Sequence, residues 1–502
     1  MHCFHPPSQL ITKLILIMIL GFFTDRLMAA DIPLNASNRL GSDGSYYWII
    51  RTPGSYYLDI PESVLNTSNE VAIWIAAGNV TLDGKGKIIS GPAAPSTPTG
   101  SGVYGIRVNG GQKISNVSVR NLKISNKFYG VIYEGVNNGL IENVNASSNR
   151  YGFYFWDNSY STLRFNIANN NVHSGIVCDA DQRINSNNNI VGNVASYNGV
   201  NGVFLWLACT NNFINNNALN NNAQMGISLS SGSDGNKIEG NSISGNSSGI
   251  WISSANQNSI SSNTLSSNIN VGIFIQLSTA NNIFSNLIQQ NQNAGIWLDQ
   301  ATANTIYSNT IIYNRYWGIF NANASSNQLI YNNYFNNLGN VGSSNGGNNF
   351  WNISQVGGKN IVGGPYIGGN YWTSLSGSGF SELNKDNNCD GIVDVPYAVG
   401  SGNIDALPLR NFINRNKMVS ADFNGDGRAD LAGLSGAGNV YYSTSLGGWT
   451  NIPGVLSQLV AGDFNGDGRA DLAGLTSAGA IYYTTNLSDW TNIPGRLANI
   501  CQ

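Results

Sequence analysis

Short apolar runs alternate with polar residues along most of this chain, and the alternation itself repeats. A glycine followed by an apolar residue recurs at Gly105, Gly130, Gly152, Gly175, Gly202, Gly226, Gly249, Gly272, Gly295 and Gly318, and the commonest interval is 23 residues. A second signature, Asn-x-Ile-x-x-Asn, lies inside the units, as in Asn236–Asn241, Asn258–Asn263 and Asn304–Asn309. Asn241, Asn263, Asn286, Asn309 and Asn332 follow one another at 22 or 23 residues. Within a unit, apolar and polar residues alternate with period two, which predicts short strands.

A period near 23 suits one coil of three short strands joined by tight turns. Helical repeats of the tetratricopeptide or ankyrin kind need more than 30 residues and helix-length apolar patterns. A leucine-rich horseshoe would show a leucine scaffold, which is absent. The expected fold class is therefore all-β. A right-handed parallel β-helix spans residues 31–410, and a small β module of two repeats spans 411–502. Stacked coils bring equivalent residues to about 4.8 Å. The repeating asparagine is expected at a turn in left-handed geometry, with its amide bonded to that of the next coil. The repeating glycine is expected at a bend where a Cβ would clash.

Composition changes this picture only at the surface. The chain has 59 glycines, 10% charged residues and a net charge of −3, but aromatics make up 10%, more than a disordered chain carries. No basic patch points to nucleic acid. Lys13, the apolar run Leu14–Phe23 and the small residues Ala29 and Ala30 have the layout of a secretory signal peptide, assigned to residues 1–30. No other segment could span a membrane. The expected location is secreted, periplasmic or cell-surface. Without those 30 residues Lys+Arg is 22 and Asp+Glu is 26, a net charge near −4. Cys178, Cys209, Cys389 and Cys501 then remain, which export allows to pair in three ways.

The units resemble the parallel β-helix repeats of extracellular carbohydrate-acting proteins, and those of periplasmic proteins of the nitrous-oxide-reductase copper-maturation type. The resemblance covers residues 55 to about 409. Asn79-Val-Thr-Leu-Asp-Gly-Lys-Gly86 looks like a first coil of that superfamily, and Gly364–Trp372 and Asp390–Tyr397 look like its C-terminal closure. It implies a fold more than an activity, because one fold hosts lyases, hydrolases, epimerases and binding scaffolds. Gly175-Ile-Val-Cys-Asp-Ala-Asp181 resembles the alginate-epimerase stretch that reads Asp-Pro-His, with Ala180 and Asp181 in place of Pro and His. The later family aspartate has no counterpart in Gly202–Trp206. Both departures argue against epimerase activity. Soft ligands for copper are scarce, with only Met225 and Met418 beyond residue 30.

Near the C-terminus, Asp-Phe-Asn-Gly-Asp-Gly-Arg-Ala-Asp occurs at residues 422–430 and again at 463–471, a period of 41. Oxygen ligands at alternating positions, with glycines forcing a sharp turn, make a cage for a hard cation. The expected Ca²⁺ ligands are Asp422, Asn424, Asp426 and Asp430, and in the second copy Asp463, Asn465, Asp467 and Asp471. Backbone oxygens of Arg428 and Arg469 complete the two sets. A third loop offers Asp386, Asn388, Asp390 and Asp394 with the Ile392 carbonyl. The twelfth position of the repeated loops is Gly433 or Gly474, not the glutamate of an EF-hand. The units resemble the FG-GAP or VCBS repeats of integrin-type and lectin β-propellers. Two of them cannot close a propeller, so pairing with another chain through these repeats is an open possibility.

Ionisable residues concentrate between 107 and 183. Four positions after each repeat glycine stand Glu134, Trp156, Asp179 and Trp206, with Asp157 one step further and Asp181 and Arg183 in the longest coil. Indoles offer faces to the C–H surfaces of sugars, and carboxylates accept from their hydroxyls. The expected substrate-binding residues are Glu134, Trp156 and Trp206. The expected catalytic residues, if there is chemistry, are Asp157, Asp179, Asp181 and Arg183. Carboxylates on adjacent coils would sit near the 5–5.5 Å of a retaining glycosidase. Three functions follow. The first is a calcium-binding protein that binds polysaccharide without catalysis. The second is a polysaccharide lyase or glycoside hydrolase. The third is a structural or adhesion surface protein.

Overall fold

The computed structural model describes residues 31–38, 46–61, 64–66, 70–91, 103–181, 183, 185–388, 390–400, 402–410, 418–435, 437–444 and 447–497. The expected signal peptide, Cys389 and Cys501 lie outside them.

The chain winds as a right-handed parallel β-solenoid of about 12 turns, each near 23 residues, followed by small antiparallel sheets. Three parallel sheets form its walls. One runs from Ile32–Leu34 to Leu329–Tyr331, one from Tyr46–Ile50 to Gly339–Ser344, and one from Ala218–Asn220 to Tyr371–Trp372. Strands pair one coil to the next in register, as Ile250 with Ile273 and Ile273 with Ile296. Alternation turns apolar side chains inward, one from each strand such as Lys237–Glu239 and two, Ile250 and Ile252, from a longer strand such as Ser248–Ser253, so each coil adds rungs to internal columns. Ile250, Ile273, Ile296 and Ile319 form one; Ile238, Ile260, Ile283 and Ile306 a second; Ile243, Leu265, Ile288 and Ile311 a third, and all are fully buried. Each rung stabilises the stack by roughly 1.5–3 kcal/mol per isoleucine.

The turns are held by asparagine columns. Asn241 donates its backbone N–H and its Nδ2 to the side-chain oxygen of Asn263, both at 2.9 Å. The same pair of hydrogen bonds joins Asn286 to Asn309, Asn309 to Asn333, and Asn333 to Asn370. The last donor, Asn370, gives to the buried Asp405 carboxyl group, which ends the column as its final acceptor. Two expectations are corrected here. The column passes through Asn333 and not Asn332, whose Nδ2 bonds Ser308 instead. The left-handed residue is the one before each column asparagine, at Ser262, Ser285, Ser308 and Asn332. The glycine expectation holds: Gly272 stands at a bend, and a Cβ on it would lie 2.6 Å from the Gly295 carbonyl oxygen of the next coil.

Beyond the solenoid, two four-stranded antiparallel sheets stand side by side. The first runs through Met418–Ala421, Asp430–Leu434, Asn439–Ser443 and Thr450–Val455, and the second through Gln458–Gly462, Asp471–Leu475, Ala480–Thr484 and Thr491–Arg496. They share one apolar core that includes Phe423, Val440 and Ile452 of the first and Leu459 and Leu472 of the second.

Candidate functional site

Four adjacent strands, Tyr129–Glu134, Tyr151–Trp156, Ile176–Asp179 and Val203–Trp206, bring the expected residues into one column. Glu134 pairs with Trp156, Trp156 with Asp179, and Asp179 with Trp206. Acid and indole therefore alternate along the solenoid axis. Asp179 has no carboxylate directly above or below it in this column, and Glu134 is two rungs away, about 9.6 Å at 4.8 Å per rung. Within this column the Trp156 rung separates the two acids, and the carboxylates on adjacent coils are Asp157 and Asp179, one position out of register.

The acids differ in their partners. Glu134 is buried and held by Arg107, whose Nε and a terminal nitrogen both lie 2.9 Å from one carboxylate oxygen. Asn109 donates to the same oxygen. Asp157 faces Lys113 at 2.9 Å and Arg183 at 3.8 Å. The Arg183 guanidinium also lies over the Trp156 ring, 4.7 Å from its centroid. Both of these carboxylates are thereby neutralised by cations.

Among the described residues Asp179 has no ion pair. It is 9% exposed, its Oδ2 accepts the Tyr154 hydroxyl at 2.6 Å, and its buried Oδ1 has no hydrogen-bond partner among them. Burial pushes its carboxyl above the ordinary carboxylate value; the Tyr154 bond pulls the other way and the neighbouring Asp181 carboxylate adds to the rise. Burial, together with the bond to Asp179, holds the Tyr154 hydroxyl far above the usual phenol range. Asn185 fixes the strand end by donating to the Asp179 carbonyl at 3.1 Å. Trp206 is exposed and stacks at 5.7 Å on Phe204, and Asp181 is exposed where the longest coil leaves the wall.

Tyr154, Arg107, Asn109 and Lys113 were not foreseen. Period two could have found Tyr154, which lies two residues before Trp156 on the same side of its strand. Cys178 and Cys209 are buried free thiols, and the Cys209 sulfur donates to the Cys178 carbonyl oxygen at 3.0 Å.

The two repeated loops fold alike. Asp422 Oδ1 accepts from Gly425 N–H at 2.7 Å, and Asp463 Oδ1 from Gly466 N–H at 2.6 Å. Asn424 and Asn465 each accept from the N–H two residues on, that of Asp426 and Asp467, at 2.9 Å. Asp426 and Asp467 likewise accept from Arg428 and Arg469, both at 2.8 Å. Asp430 and Asp471 close the loops by accepting from Phe423 and Phe464. Although desolvation opposes it, the N–H groups of Gly427, Gly425 and Asp426 hold the Asp422 carboxyl below its ordinary value. The third loop has a related plan, with Asp386 accepting from Asp390 and Gly391, Asn388 from Asp390, and Asp394 from Asn387. In all three, the carboxylates are turned onto the loop's own amides. Among the described residues, no three acidic, histidine or cysteine side chains converge as a metal-holding group.

Residues 226–377 match the family of periplasmic copper-binding protein (NosD), residues 93–243 the right handed beta helix region, and residues 422–474 the FG-GAP-like repeat. No curated protein matches this chain. Among solved structures, it is similar to the A-module of a mannuronan C-5 epimerase, AlgE6, from Azotobacter vinelandii, with a TM-score of 0.52 and 19% identity over 59% of this chain and 89% of that one. It is also similar to a mutant of the periplasmic alginate epimerase AlgG, with a TM-score of 0.50 and 15% identity over 62% of this chain and 84% of that one. At such identities the likeness is one of fold. No helix among the described residues is long and apolar enough to cross a membrane.

Proposed function

We propose that this chain is an exported β-helix protein that binds a polysaccharide along the wall carrying Glu134, Trp156, Asp179 and Trp206. The observation that carries the reading is the alternation of acid and indole in one register. Trp206 offers an apolar surface to sugar C–H groups, next to the Asp179 carboxylate, whose Oδ2 is held by Tyr154. Arg183 and Lys113, tethered to Asp157, add cations beside the column. The solved structures with the same fold include two named for alginate or mannuronan epimerisation, which supports a polysaccharide as the ligand class.

A glycan array with the full chain tests this, followed by assays for new reducing ends and unsaturated uronates. Retention of a polysaccharide that falls at least tenfold in Asp179→Asn or Trp206→Ala supports the proposal. An array without any retained glycan overturns it and favours a structural or adhesive role.

A catalytic reading rests on one observation. The short bond between Tyr154 and the buried, raised-pKa Asp179 is an arrangement in which a proton can be held and moved. On this reading Asp179 and Tyr154 exchange a proton with the substrate, while Asp157, Asp181 and Arg183 position it. Product formation that disappears in Asp179→Asn and in Tyr154→Phe supports catalysis; binding without product removes it.

We also propose that Ca²⁺ binds the loops at 422–430 and 463–471, with the loop at 386–394 as a third site. Support comes from the same oxygen donors recurring in the same order. Asp467, like Asp422, is held below the ordinary value, by the Arg469 N–H and the Asn465 side chain, and so meets a cation already ionised.

A further inference from the structure

The two C-terminal sheets are near copies, so the same residue can be compared in both, 41 positions apart. Each sheet has two faces. One carries Phe423 and Ile452 in the first sheet, and Phe464 and Ile493 in the second. The other carries Met418 and Leu431 in the first sheet, and Leu459 and Leu472 in the second. Register supports this division, since Met418 pairs with Gly433 and Gly433 with Tyr441 on one side, and Val440 with Ile452 on the other.

Burial is split in a complementary way. Phe423 and Ile452 are 4% and 0% exposed, but their counterparts Phe464 and Ile493 are 50% and 40% exposed. Leu459 is 0% exposed and its counterpart Met418 is 59% exposed. Trp449 is exposed too, whereas its counterpart Trp490 packs against the shared core. The first sheet thus lays its Phe423 face on the Leu459 face of the second. That junction leaves one face of each kind open: the Met418 face of the first sheet, where Met418, Gly433, Tyr441 and Trp449 line a depression, and the Phe464 face of the second. The two open faces are chemically the two halves of the junction already made.

We propose that the open Met418 face of one copy of this chain docks on the open Phe464 face of a second copy, repeating the internal junction between chains. A contact between unlike faces is head-to-tail, and it closes into a ring where the rotation allows. Propellers contain roughly four to eight such sheets, so about two to four copies would complete one. Exposed apolar side chains clustered on both outer faces are what such docking would cover.

Light scattering on the full chain in calcium-containing buffer tests this, with Met418→Glu and Ile493→Glu as variants. Both side chains are exposed, so the variants should keep the wild-type circular dichroism and melting temperature. The expected wild-type mass is a multiple of the monomer, and each variant alone is monomeric. A one-to-one mixture of the two is expected to form a dimer that grows no further, since one variant retains each face. A wild-type chain that stays monomeric at every concentration overturns the proposal, as does a mixture that stays monomeric. A glycan array is a separate readout, so failure here leaves the polysaccharide reading standing.

Discussion

The side-chain oxygen of Asn286 accepts two hydrogen bonds from Asn263, one from its backbone N–H and one from its Nδ2, both at 3.0 Å. Both residues are buried, and Asn286 passes the same pair of bonds on to Asn309. Its replacement by alanine would leave the Asn263 backbone N–H without its acceptor, while the Asn263 Nδ2 keeps the Ile238 and Ser261 carbonyls. Asn286→Ala is expected to cost roughly 1–3 kcal/mol, for one buried donor left unpaired. Urea unfolding measures it, and a change under 1 kcal/mol would mean that water replaces the lost acceptor.

Asp405 ends that column and gives the fold a pH dependence. Burial pushes its carboxyl up to about 7, although the Asn370 N–H and the Trp372 indole bond it, the latter at 2.8 Å. The folded chain therefore holds a proton that the unfolded chain releases above the ordinary value of 3.8. This stabilisation is complete below that value and is lost as pH rises through about 7. It amounts to roughly 4 kcal/mol, at about 1.4 kcal/mol per pKa unit. Chemical unfolding at a series of pH values should show the decline, and Asp405→Asn should flatten it. A flat wild-type profile over this window would contradict the assignment.

Tyr154 restrains the rise of the Asp179 carboxyl. Removing its hydroxyl leaves Asp179 Oδ2 without that donor, so Tyr154→Phe is expected to move the Asp179 titration to higher pH. The loss of stability that accompanies Asp179 ionisation then also shifts to higher pH. Carboxyl NMR titration reads this directly; an unmoved Asp179 would show that the tyrosine bond does not act on the charged form.

Calcium is expected to release or absorb heat on titration into chelator-treated full chain, with the heat reduced in Asp422→Ala and again in Asp422→Ala/Asp463→Ala. The ion would have to draw the carboxylates away from their loop amides, so a calcium-dependent rise in melting temperature should accompany the heat. Titration without heat and without a melting shift would remove calcium from the account.

Much of the architecture was readable because a solenoid makes sequence neighbours of one coil into spatial neighbours of the next. Gly130, Gly152, Gly175 and Gly202 served as register marks, and counting four residues on found Glu134, Trp156, Asp179 and Trp206 in one column. The count failed by one residue at Asn332, where two adjacent asparagines compete for one column and the coil length decides. It also missed Arg107 and Lys113, since long side chains reach acids of the next coils and spacing does not say which.

The coil period, the three sheets and the twin C-terminal repeats were determined by the chain alone, because alternation, glycine and asparagine act within a turn or between adjacent turns. Which acids meet a cation was decided only in three dimensions, where coils of unequal length bring Lys113 and Arg183 to Asp157 and leave Asp179 to a tyrosine. The same holds for Phe423 and Phe464. Near-identical sequences make identical faces, and only the packing of one sheet on the other determines which phenylalanine is covered.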